Sequence, residues 1–196
     1  MKYYSQFGED EWLHKSGKIK EGGFYVDAGA GHAKLHSNTY LLERWFGWNG
    51  LCIDADARNG RAIMEFREAL FTPVAVGPKD GEILTMYTAH SPDITTASEN
   101  PPKGFRGNFK VPAFRLETIL GWFDVKKVHL LSIDIEGLES AVLRDFDLKK
   151  YGVEIAIVEY KSVAGGNNSA EILEIMTKQG YKRIHATHNN LIFEPA

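Results

Sequence analysis

The chain has 196 residues, with 23 basic and 26 acidic side chains and a formal net charge of −3. This length is enough for one domain with a sizeable core, so we expect residues 1–196 to fold as a single domain. The slightly acidic balance argues against a general nucleic-acid binder, because such proteins need a basic surface. Cys52 is the only cysteine, which excludes an internal disulfide and a multi-cysteine zinc site.

The start of the chain and its apolar stretches bear on localisation. Residues 1–15 contain no apolar core of signal-peptide length. No apolar stretch reaches the length that is needed to span a membrane. The sequence therefore predicts a cytoplasmic protein without a membrane span, and it predicts no particular oligomeric state.

Helix and strand patterns alternate through the first half of the chain, after an N-terminal helical segment at residues 1–20. The predicted helices of this half cover residues 5–17, 37–50 and 58–70. The predicted strands cover residues 23–29, 50–56, 71–77 and 82–88. Residues 89–112 are predicted to form a long loop, and loops of this length often act as lids or bind a substrate.

The same alternation returns in the second half. The predicted helices cover residues 115–123, 138–150 and 168–180. The predicted strands cover residues 128–134, 153–160, 181–187 and 189–195. The first two of these strands are almost continuously apolar, which is typical of parallel strands with helices on both faces. The pattern predicts an α/β, Rossmann-like fold with a mostly parallel central sheet and an antiparallel C-terminal strand.

Four of the predicted strands finish in a carboxylate. These residues are Asp27, Asp54, Asp134 and Glu159. Ligands of doubly wound α/β folds bind beyond the carboxyl ends of the strands. We therefore expect the four acids to surround the functional site.

The turn after the first strand, Asp-Ala-Gly-Ala-Gly, is suited to a ligand. Gly29 and Gly31 allow a sharp turn and a close approach. Asp54 can accept hydrogen bonds from both hydroxyls of a ribose. Lys34 stands where a dinucleotide fingerprint has its third glycine, and the Asp27 carboxylate would repel a phosphate but favour a sulfonium. The turn therefore favours S-adenosylmethionine (SAM) over NAD, with a plain tight turn as the alternative.

Seven segments form a recognisable set. In chain order they are YSQFGEDEWL, FYVDAGAGHAKLHSNTYLLE, GWNGLCIDAD, AVG, LETIL, LLSIDIEGLESAVL and NNLIF. The set resembles the FkbM family of SAM-dependent methyltransferases, in which the D-x-E-G-x-E turn is the most recognisable block. The chain differs in having Gly-His-Ala at residues 31–33, where the family often has Asn-Asp-Gly. It also has Asp54 where the family usually has a glutamate.

The resemblance implies a class I methyltransferase fold and a set of cofactor contacts. Its implied contacts are Asp27, Gly29 and Gly31 to the methionine end of SAM, Asp54 to the ribose, and Ala75 and Val76 to the adenine. Ser5, Gln6 and Asp10 can close over the methionine part, or can only cap a helix and expose one face. Ser37 and Asn38 fit a capping role better than a direct contact with the cofactor.

Asp134 and Glu136 are the candidate catalytic residues, and Asp134 is also expected at the cofactor. Methyl transfer needs an aligned acceptor, and a base that takes the proton helps when the acceptor is a hydroxyl. The alternative is that one of these acids only caps the helix that starts near Leu138. Glu159 can join Asp134 in a divalent-metal site, but we favour an ion pair of Glu159 with Lys161 or a nearby helix.

The predicted function is SAM-dependent methylation, with a hydroxyl of a sugar or another small metabolite as the implied acceptor. No nucleic-acid partner is expected. One alternative is a nucleotide-sugar or NAD-binding enzyme on a similar fold. The other is a binding module without catalysis, although such a module would be expected to lose the acids at the strand ends.

Overall fold

The computed structural model describes residues 1–88, 95–97, 107–162 and 166–196. The helices in these ranges are α1 (Glu9–Lys15), α2 (Tyr40–Phe46), α3 (Ala57–Phe66), α4 (Leu116–Trp122), α5 (Glu139–Asp145) and α6 (Ser169–Lys178). The strands are β1 (Phe24–Ala28), β2 (Asn49–Ile53), β3 (Leu70–Thr72), β4 (Ala75–Val76), β5 (Glu82–Thr88), β6 (Thr95–Ala97), β7 (Gly107–Phe114), β8 (Leu130–Ile133), β9 (Ile155–Glu159), β10 (Tyr181–Ala186) and β11 (Asn190–Pro195).

Seven strands form the central sheet, in the order β10-β11-β9-β8-β1-β2-β3. The strands from β9 to β3 run parallel to one another. At the other edge, β11 runs antiparallel to both β9 and β10. This topology confirms the predicted Rossmann-like α/β fold with antiparallel strands at its C-terminal end.

Helices cover both faces of the sheet. Val26 and Ala28 of β1 pack in one core with residues of α4, α5 and α6. Tyr25 points to the opposite face, where it packs with Leu13 of α1 and Leu42 of α2. Because successive side chains of a strand alternate between faces, the apolar run of β1 contributes to both cores.

The strand order reverses beside β1. The chain passes from β1 outward through β2 to β3, and β8 then pairs with the other edge of β1. Such a reversal opens a crevice at the carboxyl ends of the strands, where ligands of this fold class bind. Asp27, Asp54 and Asp134 therefore meet at one end of the sheet, as the sequence predicts.

The predicted strand at residues 71–77 is two strands in two different sheets. Strand β3 ends at Thr72 and pairs with β2, while β4 starts at Ala75 and pairs with β7. Pro73 separates them, and a proline has no N–H with which to continue a ladder. The break moves β4 out of the central sheet.

A second sheet of four strands, ordered β4-β7-β5-β6, corrects the predicted loop. Strands β6 and β7 include residues 95–97 and 107–112, which were assigned to that loop. The remaining loop residues, 89–94 and 98–106, lie outside the described ranges. Strand β7 is hard to recognise in the sequence because Pro112 interrupts its run of strand-forming residues. The structure accommodates this proline because β4 pairs with β7 only at Ala113 and Phe114, so Pro112 needs no N–H for that pairing.

The N-terminal helix starts later than predicted. Gly8 has a φ of 84° and stands before the first helical residue, Glu9, so residues 5–8 form a turn outside the helix. Asp10 holds that turn, because its carboxylate accepts hydrogen bonds from Tyr4 N at 2.6 Å and Ser5 Oγ at 2.5 Å. The helical segment is therefore shorter than the predicted 5–17.

The helices are short. Both α3 and α6 contain 10 residues. None of the helices in the described ranges has the length and apolar character needed to cross a bilayer. The cytoplasmic location stays a prediction from the sequence.

Candidate active site

A cleft lies at the carboxyl ends of β1, β2 and β8. The cleft is lined by Gly29, Ile53, Asp54, Ala55, Val74, Ala75, Val76, Leu84, Met86, Ala97, Asp134, Ile135 and Leu138. It therefore brings together Gly29, Asp54, Ala75, Val76 and Asp134 from the predicted set.

Gly29 makes the closest contact between β1 and β8. A Cβ atom at this position would stand 1.7 Å from the backbone oxygen of Asp134. The φ of Gly29 is 82°, which L side chains rarely adopt. The close packing of the turn against Asp134 therefore requires a glycine at this position, independently of any ligand.

Asp54 follows β2 and is buried within a set of polar contacts. Its Oδ2 accepts a hydrogen bond from Gly31 N at 2.7 Å. Its Oδ1 accepts from Asp56 N at 2.7 Å and from Asn59 Nδ2 at 3.2 Å. Burial raises the pKa of Asp54 to about 6. A carboxylate has about four acceptor positions, so about one remains for a ribose hydroxyl rather than the two expected.

Asp27 points to the face of β1 that carries Tyr25, and it is not among the residues that line the cleft. Its Oδ2 accepts a hydrogen bond from Thr39 Oγ1 at 2.5 Å, and Arg67 Nη1 lies 3.7 Å away. Arg67 is fully buried and also forms an ion pair with Glu43. Burial raises the pKa of Asp27, while Arg67 and Thr39 oppose the shift. Its contact with SAM stays a prediction.

Three further predicted cofactor residues are not among those that line the cleft. The Ser37 hydroxyl accepts a hydrogen bond from Tyr40 N at 3.0 Å, at the first residue of α2. Asn38 Nδ2 donates to Ser132 Oγ at 3.2 Å. Gln6 is exposed in the N-terminal turn. Ser37 therefore caps a helix, and its direct contact with a cofactor, like those of Asn38 and Gln6, stays a prediction.

One wall of the cleft is apolar and comes from the second sheet. Ala75 and Val76 of β4 line it beside Leu84 and Met86 of β5 and Ala97 of β6. The last three residues were not predicted at the site, because Ala97 lies in the predicted loop and the predicted strand at residues 82–88 had no assigned role. The alternation of apolar residues along β5 was the available signal, because it indicates a strand with one buried face.

The turn after β8 contains the D-x-E-G-x-E pattern, and its last glutamate holds it in shape. Glu139 is buried and accepts hydrogen bonds from Ile135 N and Gly137 N, each at 3.0 Å. Glu136 has a φ of 56°, and Gly137 has a φ of 115°. The sequence analysis quoted Glu139 but gave it no role. The positive φ of Glu136 is unusual for a residue other than glycine, and such positions are common at functional sites.

Asp134, Glu136 and Glu159 form a carboxylate cluster at the edge of the cleft. One oxygen of each lies within 4.8 Å of the others. Burial raises the pKa of Asp134 to about 7. Burial, together with the charge of Asp134, raises the pKa of Glu159 well above its usual range. Asp134 and Glu159 therefore retain a proton between them at neutral pH.

The expected ion pair between Glu159 and Lys161 is wrong. Lys161 Nζ lies over the ring of Tyr160, 5.2 Å from its centroid. Within the described residues, Glu159 has no ion pair with Lys161 and instead shares a hydrogen bond with Asp134. The reason is that Glu159 is the last residue of β9 and turns inward, while Lys161 follows the strand.

The arrangement supports three chemical tasks. The apolar wall and Asp54 can bind an adenosine group, since one surface is suited to a flat ring and the other to hydroxyl donors. The acids at the opposite edge attract a positive charge. Asp134, with its raised pKa, can take a proton near neutral pH. The cleft thus combines an adenosine-type surface with an acidic reaction edge.

Comparisons with known proteins agree with this description. A family model described as the methyltransferase FkbM domain matches residues 27–183. No curated protein matches the chain. The chain is similar to the crystal structure of a TehB-like SAM-dependent methyltransferase from Corynebacterium glutamicum, with a TM-score of 0.52 and 13% identity. That alignment covers 98% of this chain and 89% of the other, and the likeness is one of fold.

Two other structures are more distant. MtNAS in complex with MTA and tNA aligns with a TM-score of 0.48 and 12% identity, over 96% of this chain and 61% of that chain. Fibrillarin from Aeropyrum pernix with natively bound SAM aligns with a TM-score of 0.46 and 10% identity. The alignment covers 89% of this chain and 66% of fibrillarin, so the present chain spans less than two thirds of either protein.

Proposed function

This chain belongs to the methyltransferase FkbM domain family, and we propose that it transfers the methyl group of SAM to a hydroxyl of a small molecule, such as a sugar. The observation that carries the proposal is the cleft, in which a carboxylate for ribose and a proton-accepting acid stand at opposite edges. When bound, SAM supplies a methyl group on a positively charged sulfur. All other parts of the reaction depend on the residues of the chain.

The residues present fit the cofactor. The apolar wall of Ala75, Val76 and Met86 matches an adenine ring, and Asp54 keeps about one acceptor position for a ribose hydroxyl. The acids on the other side favour a sulfonium and an ammonium group over the phosphates of NAD. The donor set of the cleft is therefore complementary to SAM.

The acceptor would approach from the side of Asp134 and Glu136. A methyl transfer needs the attacking oxygen in line with the bond that breaks, and it needs water to be excluded. Asp134 would accept the hydroxyl proton, because its raised pKa makes it a stronger base than an ordinary carboxylate. Glu136 would orient the same hydroxyl from the turn. The buried Glu139 would fix the positions of both acids by holding that turn.

Calorimetric titration with S-adenosylhomocysteine (SAH), with NAD as the control ligand, tests the cofactor. We expect one-to-one binding of SAH and no binding of NAD. Asp54→Asn should weaken SAH binding about tenfold or more, because a hydrogen bond to a charged acceptor contributes about 1.5–3 kcal/mol. Asp56→Asn is the matched control, since Asp56 caps α3 two residues away and does not line the cleft. Binding of NAD alone, or equal SAH affinity in the Asp54 variant, would contradict the proposal.

The acceptor is tested by transfer of a labelled methyl group. Purified protein would be incubated with labelled SAM and a panel of sugars, and each sugar would be paired with its deoxy analogue. We expect label in a hydroxyl-bearing acceptor and none in the analogue that lacks the hydroxyl. Transfer to an amine or a thiol in place of a hydroxyl would contradict the O-directed part of the proposal and leave the cofactor assignment intact.

A further inference from the structure

The carboxylate cluster of Asp134, Glu136 and Glu159 has the dimensions of a cation site. Its three ligand oxygens lie within 4.8 Å of one another. Oxygen ligands on opposite sides of a Mg²⁺ ion stand about 4.2 Å apart, and those across a Ca²⁺ ion about 5 Å apart. One ion of this class would therefore contact all three carboxylates with little movement of the backbone.

A separate observation concerns two buried oxygens that have no hydrogen-bond donor among the described residues. Glu159 is only 4% exposed, and no described residue donates a hydrogen bond to its Oε2. Asn190 lies directly opposite Glu159 in the antiparallel pair of β9 and β11, so both side chains share one face of the sheet. The Oδ1 of Asn190 is also buried without a partner in the described ranges.

The orientation of the Asn190 amide is fixed by its neighbour. Its Nδ2 donates to Glu9 Oε1 at 2.8 Å, and a carboxylate can only accept in such a bond. Among the described residues, the amide oxygen is thus left without a donor, as is Glu159 Oε2 on the same face of the sheet. Buried acceptors of this kind are rare and need a donor or a cation that the chain itself does not provide.

The strongest charge effects on Glu159 and Asp134 come from other acids. The charges that act most strongly on Glu159 are those of Asp134, Glu136 and Glu139. Those that act most strongly on Asp134 are the charges of Glu139, Asp27 and Glu9. A cation that replaces the proton shared by Asp134 and Glu159 would offset the repulsion among these acids.

We propose that Asp134, Glu136 and Glu159 bind one divalent cation of the oxygen-preferring class, such as Mg²⁺ or Mn²⁺. All the available ligand atoms are carboxylate or amide oxygens, which such ions prefer over the nitrogen and sulfur ligands that zinc takes. Three protein ligands leave other coordination positions open. The ion lies at the edge of the cleft, since Asp134 lines both the cleft and the cluster.

The cation also specifies the acceptor, and this part rests on the proposed function. An open coordination position beside the methyl donor would hold the acceptor hydroxyl and lower its pKa. A neighbouring hydroxyl on the same acceptor can fill a second position, so the favoured class is a vicinal diol, which is common in sugars. With the ion bound, the pKa of Asp134 would fall, and the lower pKa of the coordinated hydroxyl would offset the weaker base.

Binding of Mn²⁺ to the full-length protein tests the site without any acceptor. The protein would first be treated with a chelator, and the free Mn²⁺ would then be measured by electron paramagnetic resonance at pH 8. We expect saturable binding at one site and competition by Mg²⁺. Glu159→Gln and Glu136→Gln should each weaken Mn²⁺ binding at least about tenfold, whereas Glu174→Gln, which alters an exposed acid of α6, should not.

Two controls separate the possible failures. Thermal unfolding of each variant shows whether it is folded, and the partly exposed Glu136 gives a second test if Glu159→Gln does not fold. SAH binding is measured with and without Mn²⁺. Absence of saturable Mn²⁺ binding, or equal binding by folded cluster variants, would overturn the metal site. SAH binding in that same protein would show that the proposed function survives without it.

Discussion

A single carboxylate at the end of β2 illustrates how burial prepares a group for its ligand. Asp54 is 6% exposed, yet three hydrogen-bond donors of the chain already point to it. Burial raises the pKa of Asp54, and the three hydrogen bonds oppose part of that rise, so the pKa is about 6. The charged form, which accepts ligand hydroxyls best, therefore predominates at pH 7 but not at pH 5.

We predict that SAH binding weakens below pH 6 because Asp54 becomes protonated. Between pH 7 and pH 5 the affinity should fall about tenfold, since the ionised fraction of a group with a pKa near 6 falls by that factor. The nearest charged group is Asp56, which is paired with Arg58. Calorimetry at half-unit pH intervals measures the profile.

The same profile in Asp54→Asn provides the control for this prediction. The introduced amide would not titrate, so any change that remains must come from other acids of the cleft, such as Asp134. We expect the variant to bind weakly and to lose the step near pH 6. A step of equal size in both proteins would show that Asp54 is not the group responsible.

At the scale of elements, the contact between the ends of β1 and β8 sets the shape of the cleft. Asp134 N donates to Ala28 O at 2.9 Å, and Gly29 N donates to Ile53 O at 2.8 Å. The turn after β1 is thus bonded to β2 on one side and lies beside β8 on the other. Gly29 has no side chain, and its backbone fills the space where these strands meet.

Gly29→Ala should destabilise the protein strongly and weaken SAH binding. The added methyl would meet Asp134 O at 1.7 Å, so the turn or β8 must move. We expect a loss of about 3 kcal/mol or more in the free energy of unfolding, as for overpacked cores with added backbone strain. Urea unfolding measures the loss, and calorimetry measures SAH affinity.

Gly81→Ala is the matched control for Gly29→Ala. Gly81 has a φ of 77°, close to the 82° of Gly29, but a Cβ there has no atom within 4 Å. It should therefore cost only the strain of a positive φ, about 1 kcal/mol, and leave SAH binding unchanged. Similar losses in the two variants would mean that φ, rather than the contact with Asp134, makes Gly29 necessary.

The sequence predicted the central sheet well because its strands are locally distinctive. The runs around residues 128–134 and 153–160 are apolar enough to identify buried strands. The second sheet was missed because its pairing is not local. Strand β7 pairs with β5 in a register that joins Gly107 to Thr88 and Ala113 to Glu82, across residues that were assigned to a loop. Periodicity within one segment cannot reveal such a pairing.

The candidate site, too, could be predicted only in part from the sequence. Positions after strands, such as Asp54 and Asp134, could be predicted because parallel strands place their carboxyl ends together. The direction in which each side chain points could not. Asp27 faces Arg67, which lies at the end of α3 and is distant in sequence. Glu159 lies beside Asp134 because β8 and β9 pair in parallel with Ile133 opposite Val158, which makes the next two residues neighbours.

For the molecule as a whole, a buried acid ties the N-terminal segment to the last hairpin. Glu9 is fully buried at the start of α1. Its Oε1 accepts hydrogen bonds from Thr187 Oγ1 at 2.6 Å and Asn190 Nδ2 at 2.8 Å, almost the whole chain away. Glu9, Thr187 and Asn190 all lie outside residues 27–183, the range that the family model matches, so this contact joins the two flanking ends of the chain.

We predict that Glu9→Ala lowers the free energy of unfolding by about 3 kcal/mol, because the buried amide of Asn190 and the partly buried hydroxyl of Thr187 would lose their acceptor. Glu11→Ala is the control on the same helix. The Glu11 side chain is 42% exposed and pairs with the exposed Lys15, so its loss should change stability far less. Urea unfolding compares the two variants. Hydrogen exchange should show faster exchange both in α1 and in the hairpin of β10 and β11 for Glu9→Ala. Faster exchange in α1 alone would mean that Glu9 supports its helix without coupling the two ends of the chain.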